Sequence, residues 1–503
     1  MTMWRGLGLF GALVALALLG ASDAGAQSAN LVVQVSTEPP GLDLTASPAS
    51  AIAGVVFYNV QEALIKVDRH GKLVPWLAER WYTTDSKNYT FFLRKGVRFH
   101  NGPEMKAADV KYVFDRAVNP ETKHPYRVQY EAIQDVIVKD DYTISVSLKA
   151  PDAMFLWTVA RQGSVIYPKE AVETLKTQPV GTGPFTVSDW VRGDRIVLAK
   201  NKDYWVKGLP HLDRITYRFI PDPNSALAAL KSGDVDVSGF GLGPESVDEL
   251  KKDPRFQVIL GDTTNDVTLS LNNTKKPYSD KRVRLAITHA INKDEVLKGA
   301  MFGYGKVLGS NVDPLNPYFI DVSKRVAYDP AKAKKLLGEA GYPNGFDGGD
   351  LTPLPPYTSL GEAVANYLQP IGIRTRVRTM ERAAFISSWR EKKLRGLAIG
   401  ATGAAGNAAA RLEPFVTRTG IYAYGVAPEL EDLYLRQAKE LDRKQREVQL
   451  HQLQKAVADR VLTAPIFQQA FLCGVGPRAE ESGAGLVQGF PYSAPADDLK
   501  VKP

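Results

Sequence analysis

Apolar residues along this chain repeat with two periods, and the two alternate from end to end. Leu31–Val35 reads as a short apolar strand that Pro39-Pro40 ends, with a loop after it. Residues 54–82 carry helix-like apolar spacing and include Trp76 and Trp81. Tyr89–Leu93 reads as a strand, and a partner returns at Tyr142, Ile144, Val146 and Leu148 with a clean period of two. Pro179–Pro184 (PVGTGP) breaks the pattern more strongly than any other stretch. Strands follow at 195–199 and 214–220, then a helix over 225–232 that Gly233 stops.

From residue 280 onward helices dominate. Asp280 caps one that buries Val283, Ala286, Ile287 and Ala290, and Asn292 with Glu295 forms a capping box for the next. Asp329-Pro330 opens a third, whose buried stripe is Ala333, Leu336, Leu337 and Ala340 and whose end is Gly341. Pro428–Arg460 predicts two long amphipathic helices, and the Gly- and Ala-rich stretch 396–410 predicts a loop. Strands and helices alternate without an internal repeat, which predicts α/β domains rather than a helical bundle.

The amino terminus changes where the chain is expected to work. Arg5, the apolar run Leu7–Leu19 and the small residues Ala24-Gly25-Ala26 form a secretory signal over residues 1–26, an uncleaved anchor being the alternative. No cysteine stands near Gly20–Gln27 to take a lipid, so a free periplasmic protein is expected. A chain of 503 residues supports two or three cores. Its lone cysteine, Cys473, allows no internal disulfide, so packing must supply the stability. The net charge of +8 is spread along the sequence with no basic run, which argues against nucleic acid. It leaves either a solvated basic surface or a bias toward an anionic ligand.

Catalytic chemistry finds little support. HExxH, CxxC, GxxxxGK[ST] and GxSxG are absent, and the one GxGxxG, Gly6–Gly11, lies inside the signal with no strand before it. The six histidines (70, 100, 124, 211, 289, 451) have no histidine neighbour at helical spacing, so no metal site is expected. Asp234 and Asp236 in GDVDV read as a carboxylate pair on one strand face or as a solvated edge. The expectation is a binding protein without catalytic residues, metal or cofactor. An enzyme such as a hydrolase stands as the rival.

The stretch Leu73–Arg116 carries Pro75, Ala78, Trp81, Tyr89-Thr90-Phe91, Leu93-Arg94, Gly96-Val97, Phe99-His100, Gly102, Ala108-Asp109-Val110 and Arg116. Further on come Gly181-Thr182-Gly183-Pro184-Phe185, then Asn201, Tyr204 and Trp205, then Asp280 with Val283-Arg284, Ala286 and Ala290-Ile291. Tyr328-Asp329-Pro330 and Ala340-Gly341-Tyr342-Pro343 complete the set. Together these spacings resemble the bacterial family 5 extracellular solute-binding proteins of ABC importers, a group that includes peptide, nickel and glutathione binders. The resemblance implies an α/β fold of the periplasmic-binding-protein type II kind, with two α/β lobes around a cleft and an extra domain on lobe I. It places lobe I at 27–57, 180–275 and 476–503, the extra domain at 58–179 and lobe II at 276–475. It further implies a monomer that closes on a small-molecule solute and docks on an ABC permease in the inner membrane. A periplasmic sensor or chaperone on the same fold is a further possibility.

Cleft residues follow from position and from that resemblance. Thr37 and Glu38 stand at a strand end, where open α/β sheets bind ligands, and Glu38 is equally a surface charge. Arg161 resembles a cleft arginine of some nickel and glutathione binders, or is a surface arginine. Thr264 and Asn265 precede a strand near an expected lobe crossing. In Gly400–Phe415 (GATGAAGNAAARLEPF), the peptide binders' aspartate and tryptophan are missing; Thr402, Asn407 and Arg411 stand there instead. A neutral amide does not balance a buried ammonium, so a free-amine peptide is disfavoured, and Arg161, Arg411 and Arg418 favour a carboxylate or phosphate group. The rival for Arg411 is a surface ion pair; an opine or a metal chelate is an alternative guest. Tyr357, Tyr422 and Tyr424 are aromatic walls or ordinary packing. His100 reads as a satisfied structural histidine, and Asp109 and Arg116 as structural partners.

Overall fold

The computed structural model describes residues 29–239, 242–316, 318–355, 357–403, 408–418, 420, 422, 424, 425, 427–480 and 495–502. The signal segment, Asn407 and the 481–494 stretch lie outside it. The chain opens with β1 (Asn30–Val35) and α1 (Ser50–Val56). A small module follows: β2 (Ile65–Val67), β3 (Leu73–Pro75), β4 (Ala78–Tyr82), β5 (Asn88–Leu93), α2 (Ala107–Val118), α3 (Arg127–Tyr130), β6 (Ile133–Asp140), β7 (Thr143–Leu148) and α4 (Phe155–Val159). The chain then returns through β8 (Phe185–Val191), β9 (Arg195–Lys200), β10 (Arg214–Phe219), α5 (Pro223–Ser232), β11 (Val237–Ser238) and α6 (Pro244–Lys251) to the long strand β12 (Gln257–Leu271).

The second half holds α7 (Lys281–Ala290), α8 (Lys293–Met301), β13 (Gly305–Val307), α9 (Pro330–Glu339), β14 (Phe346–Pro353), α10 (Thr358–Leu368), β15 (Ile373–Val377), α11 (Arg382–Arg390) and β16 (Leu397–Gly403). It ends with α12 (Ala408–Val416), α13 (Pro428–Lys439), α14 (Arg443–Arg460) and β17 (Thr463–Val475). The main sheet has the order β15-β14-β16-β12-β17-β11-β1-β10-β9-β8, with β13 added on β17. The module forms its own antiparallel sheet, β4-β5-β7-β6, beside the β2-β3 pair.

Local signals explain most of these elements. Asp280, Asn292 and Asp329 each accept a first-turn backbone N–H, so α7, α8 and α9 start where the capping residues place them. Gly233 and Gly341 adopt the left-handed conformation just past α5 and α9. Two expectations fail. The helical spacing over 54–82 yields only the seven-residue α1 and then strands, because its apolar positions bury within a shared sheet-and-helix core. Within the 396–410 stretch, Leu397–Gly403 is a central strand rather than loop, where small residues suit Trp389 packed against Gly400.

One continuous core joins β1, β9 and β10 to the antiparallel module, from Leu31 and Ile215 through Phe57 and Tyr58 to Tyr89, Phe91 and Phe114. Its polar centre is Glu62, fully buried. Trp76 Nε1 (2.5 Å), Tyr204 OH (2.8 Å), Thr182 Oγ1 (2.7 Å) and Trp205 Nε1 (2.9 Å) all donate to its carboxylate. The GTGP turn and the Tyr204-Trp205 pair are thereby tied to one acid. His100 makes a second tie: its Nδ1 accepts from the Gly181 N–H (3.3 Å), which leaves Nε2–H to donate to the Gly183 carbonyl (2.9 Å). Burial holds the imidazole below its usual range, as a structural histidine requires. Asp109 and Arg116 do not pair. Asp109 caps its own helix at the Lys106 N–H, whereas Arg116 reaches Thr45 and Tyr167.

Burial pushes the Glu62 carboxyl up from 4.5 to about 7, against the pull of its four donors. A raised carboxyl stabilises the fold at low pH, and that contribution is lost as pH rises from 4.5 through about 7. Glu62→Gln turns an amide N–H₂ toward two of these donors. It should cost about 3 kcal/mol in chemical denaturation, and its gap to wild type should narrow as pH rises through that window.

Candidate functional site

Two strands carry the chain between the halves of the main sheet. At one end of β12, Gln257–Asp262 pairs with Val475–Ala470, and β11 flanks β17 through Val237 and Ser238. At the other end, Asp266–Ser270 pairs with Gln468–Thr463, and Asn265–Leu271 pairs with Gly403–Leu397 of β16. The ladder shifts register between Asp262 and Asp266. There Thr263 Oγ1 donates to the Gln469 carbonyl (2.7 Å) and accepts the Asn265 N–H (3.0 Å). An extra stretch on one strand of an antiparallel pair bends and twists the ladder locally. Thr264 is buried and Asn265 half-buried within this irregularity. Thr263 escaped the sequence reading, since nothing in a Thr-Thr-Asn run says which hydroxyl faces the partner strand.

Thr37 is exposed at the end of β1. Glu38 beside it is committed to the β8–β9 hairpin: its carboxylate accepts from Trp190 Nε1 (3.1 Å) and the Gly193 N–H (3.0 Å), with Arg192 at 3.5 Å. Gln34, one turn of the pleat earlier, is buried and links the Ile220 carbonyl to Ser238.

In the second lobe the expected anion receptor turns out to be occupied. Arg411 is 2% exposed rather than at the surface, and forms an ion pair with Asp266, itself fully buried. Its Nη2 also donates to Thr402 Oγ1 (3.2 Å), the residue paired with Asp266 across the β12–β16 ladder. Because α12 starts at Ala408, its first turn delivers Arg411 to this spot. Burial pushes Asp266 up to about 7; Arg411 opposes that shift and the nearby Asp313 adds to it. Asp313 is raised by its own burial, with Arg411 pulling the other way. One guanidinium thus serves two buried carboxylates. Arg418 is a surface residue paired with Glu431 (2.8 Å).

The three tyrosines all pack against the apolar cluster of Leu354, Phe385, Trp389, Leu394 and Ala398. Tyr357 packs at the start of α10 between two apolar clusters. Tyr422 stacks between Trp389 (4.6 Å) and Phe415 (5.3 Å). Tyr424 lines a separate cavity beside the ends of β12 and β16. Asn407 lies outside the described residues. Asp234 and Asp236 share no strand face: Asp236 is buried and holds the Val32 N–H (2.8 Å), while Asp234 is exposed and takes the Ser232 hydroxyl.

Arg161 stands where the module meets the second lobe. Met154, at the start of α4, is buried among Val312, Tyr318, Leu412, Phe415 and Leu450. Trp157 packs against this cluster and against the first-lobe core as well. The Ala153 N–H donates to the Ala438 carbonyl (3.4 Å). Arg161 lies over the Tyr126 ring (5.5 Å) and lowers the carboxyl of Glu413 on α12, which burial raises. Arg446 of α14 acts likewise on Asp152. Charged groups of both lobes therefore lie near this apolar contact.

Comparison with known proteins fits this architecture. The profile of the bacterial extracellular solute-binding proteins, family 5 Middle, matches residues 72–423. The glutathione-binding protein GsiB of Pectobacterium atrosepticum is 34% identical over 304 residues, 59% of this chain and 58% of that protein. The match thus spans about three fifths of that relative's length. Among solved structures, the periplasmic binding protein AgaA of A. tumefaciens R10 in complex with agropinic acid superposes with a TM-score of 0.84 at 24% identity, over 94% of this chain and 99% of that one. Helicobacter pylori DppA in complex with the peptide STSA gives 0.84 at 25%, over 94% and 98%. These neighbours establish the type II periplasmic-binding-protein fold. Among the described residues no helix is long and apolar enough to cross a membrane, and no cluster of three metal-ligating side chains occurs.

Truncating Arg411→Ala strands Asp266 in the interior and should cost about 3–5 kcal/mol in urea denaturation. The double change Asp266→Asn with Arg411→Met should recover part of that loss. If Arg411→Ala is as stable as wild type, the pair does not hold α12 on the sheet.

Proposed function

Since this chain belongs to the bacterial extracellular solute-binding proteins of family 5, we propose that it is the periplasmic solute-binding component of an ABC importer. It captures a polar solute by hinge closure and delivers it to an inner-membrane permease, working as a monomer after its signal is cleaved. The observation that carries the reading is the paired crossing: β12 and β17 span both halves of the sheet side by side and share a register break at Asp262–Asp266. Bending is easiest where ladder bonds are interrupted, so the hinge sits there. The proposed lobes therefore part inside β12 and β17, rather than at residues 275 and 475. Asp266–Leu271 pairs with β16, while Val475 reaches β11. The module at 58–179 belongs with the first lobe, whose core it shares.

The guest is read from the charges around α12. Arg411 is paired with Asp266 and acts on Asp313, and Arg161 acts on Glu413, so both arginines stand among carboxyl groups. A solute carrying both a carboxylate and a cationic group suits such a set better than a bare polyanion. Glutathione, named for GsiB, is of this kind. A ligand favours closure only by the difference in its contacts with open and closed forms, so it must touch both lobes.

Thermal-shift screening tests this directly. A true guest at a hundredfold over its Kd should stabilise the protein by about 2.7 kcal/mol. The panel is glutathione, an opine acid, a free dipeptide and simple dicarboxylic acids; a solute with both an ammonium and a carboxylate should lead over the simple diacids. Stabilisation by none of the classes would overturn the transport reading, and leadership by simple diacids would overturn the charge argument. Met154→Asp, which puts a charge into the closed contact, should weaken binding about tenfold while leaving far-UV circular dichroism unchanged. Arg161→Ala should weaken a carboxylate-bearing guest; unchanged affinity removes it from the site.

A further inference from the structure

A second cavity lies in the other lobe, well away from the hinge. Its volume is about 440 Å³. It forms where β12 and β16 leave the sheet at the same end: Asn272 to Lys275 make one rim and Lys392 to Arg395 the other. The β12–β16 ladder runs from Asn265–Gly403 near the hinge to Leu271–Leu397 beside this cavity. That separates the cavity from the hinge by roughly 20 Å at the usual rise of a strand.

The rims are joined to one another. Asn272 is buried; its Nδ2 donates to the Leu394 carbonyl of the opposite rim (3.4 Å), and its Oδ1 accepts from Thr274 Oγ1 (2.6 Å). Asn273 Nδ2 donates to the Gly425 carbonyl (3.2 Å), which brings Tyr424 in as the third wall. Position 392 adds a conformational argument. Helix α11 ends in a reciprocal cap, with the Lys393 N–H on the Ser388 carbonyl (2.8 Å) and the Lys392 N–H on the Trp389 carbonyl (3.0 Å). Lys392 occupies the left-handed position of this cap, at φ 58°, where glycine is the usual residue. A side chain there costs about 1 kcal/mol, yet the chain keeps a lysine, and that lysine lines the cavity.

The electrostatics are one-sided. Lys275, Lys392, Lys393 and Arg395 all line the cavity. Lys393 pairs with Glu391. The other three have no carboxylate partner among the described residues. Three like charges around one pocket repel until a counter-charge arrives, and a compact multivalent oxyanion relieves all three at once.

We propose that this pocket, formed by the ends of β12 and β16 with Tyr424, is an anion site separate from the solute cleft, which takes a phosphate-type oxyanion. Tyr424 then belongs to this pocket rather than to the cleft. The chemistry fits free pyrophosphate or the phosphate of an acidic lipid headgroup, and the test separates the two sources.

Isothermal titration of the full-length mature protein with inorganic phosphate and with pyrophosphate, at low and matched ionic strength, should show one site, with pyrophosphate the tighter ligand. Lys392→Ala with Arg395→Ala should weaken it at least about tenfold, equivalent to about 1.4 kcal/mol, whereas Lys169→Ala, an exposed lysine of the module, should not. All three side chains are exposed, so circular dichroism should report intact folds. Co-sedimentation with phosphatidylglycerol vesicles, lost in the double variant and without pyrophosphate binding, would assign the lipid phosphate as the source. No binding of phosphate, pyrophosphate or vesicles, or equal binding by the double variant, overturns the proposal. Solute binding in the cleft is read separately and does not depend on the result.

Discussion

The antiparallel pairing of β12 with β17 is the constraint on which the rest of the molecule depends. Fifteen residues of one strand and thirteen of the other run side by side through both halves of a single large sheet. Each lobe hangs its helices on its own end of this pair, and the contact of Met154 and Trp157 with the second lobe adds a further link between them. The ladder is irregular at Thr263–Asn265 and again between Val267 and Thr268, so any bending is concentrated in this short stretch of the pair. A binding protein needs that division: rigid walls that hold recognition groups in position, and one soft joint that lets the walls meet.

The two lobes solve the problem of buried charge in the same way. In the first, Glu62 collects four donors from segments far apart in sequence, and the GTGP turn and Tyr204-Trp205 are fixed as a result. In the second, Arg411 pairs with Asp266, with Asp313 within its electrostatic reach, and pins α12 to the sheet beside the register break. A buried ion pair is a poor source of net stability but a demanding specifier of geometry, because removing either member leaves a charge without water. The architecture next to the cleft thus depends on groups that tolerate little movement. Cys473 contributes none of this: it is buried, and burial pushes its thiol up to about 12, so it behaves as an apolar filler.

Much of the fold was legible in the sequence. The strands at 89–93 and 142–148 announced themselves by period two, and Asp280, Asn292 and Asp329 by their capping chemistry. What misled was local composition. Gly and Ala between 396 and 403 suggested a loop, yet in a central strand small side chains are what the Trp389 ring leaves room for. The cleft was less legible, for a physical reason: a charged residue in sequence carries no record of its partner. Arg411 read as an anion receptor until its distance in space from Asp266, 145 positions earlier, was known. Glu38 likewise read equally as a ligand contact or a surface charge, and its sequence neighbours gave no sign that the β8–β9 hairpin occupies it. Tyr424, read as an aromatic wall or as ordinary packing, lines the cavity at the ends of β12 and β16, and nothing in its local sequence announces that.

Closure about the β12–β17 joint is best tested by a distance between the lobes. Lys202 and Lys334 are exposed, one on each lobe, and Cys473 is buried, so cysteines placed at both positions can be labelled selectively. Single-molecule energy transfer on that double variant should show two populations, with a stabilising solute moving molecules into the one of shorter distance. A single distance that stays fixed while the solute demonstrably binds would contradict the hinge.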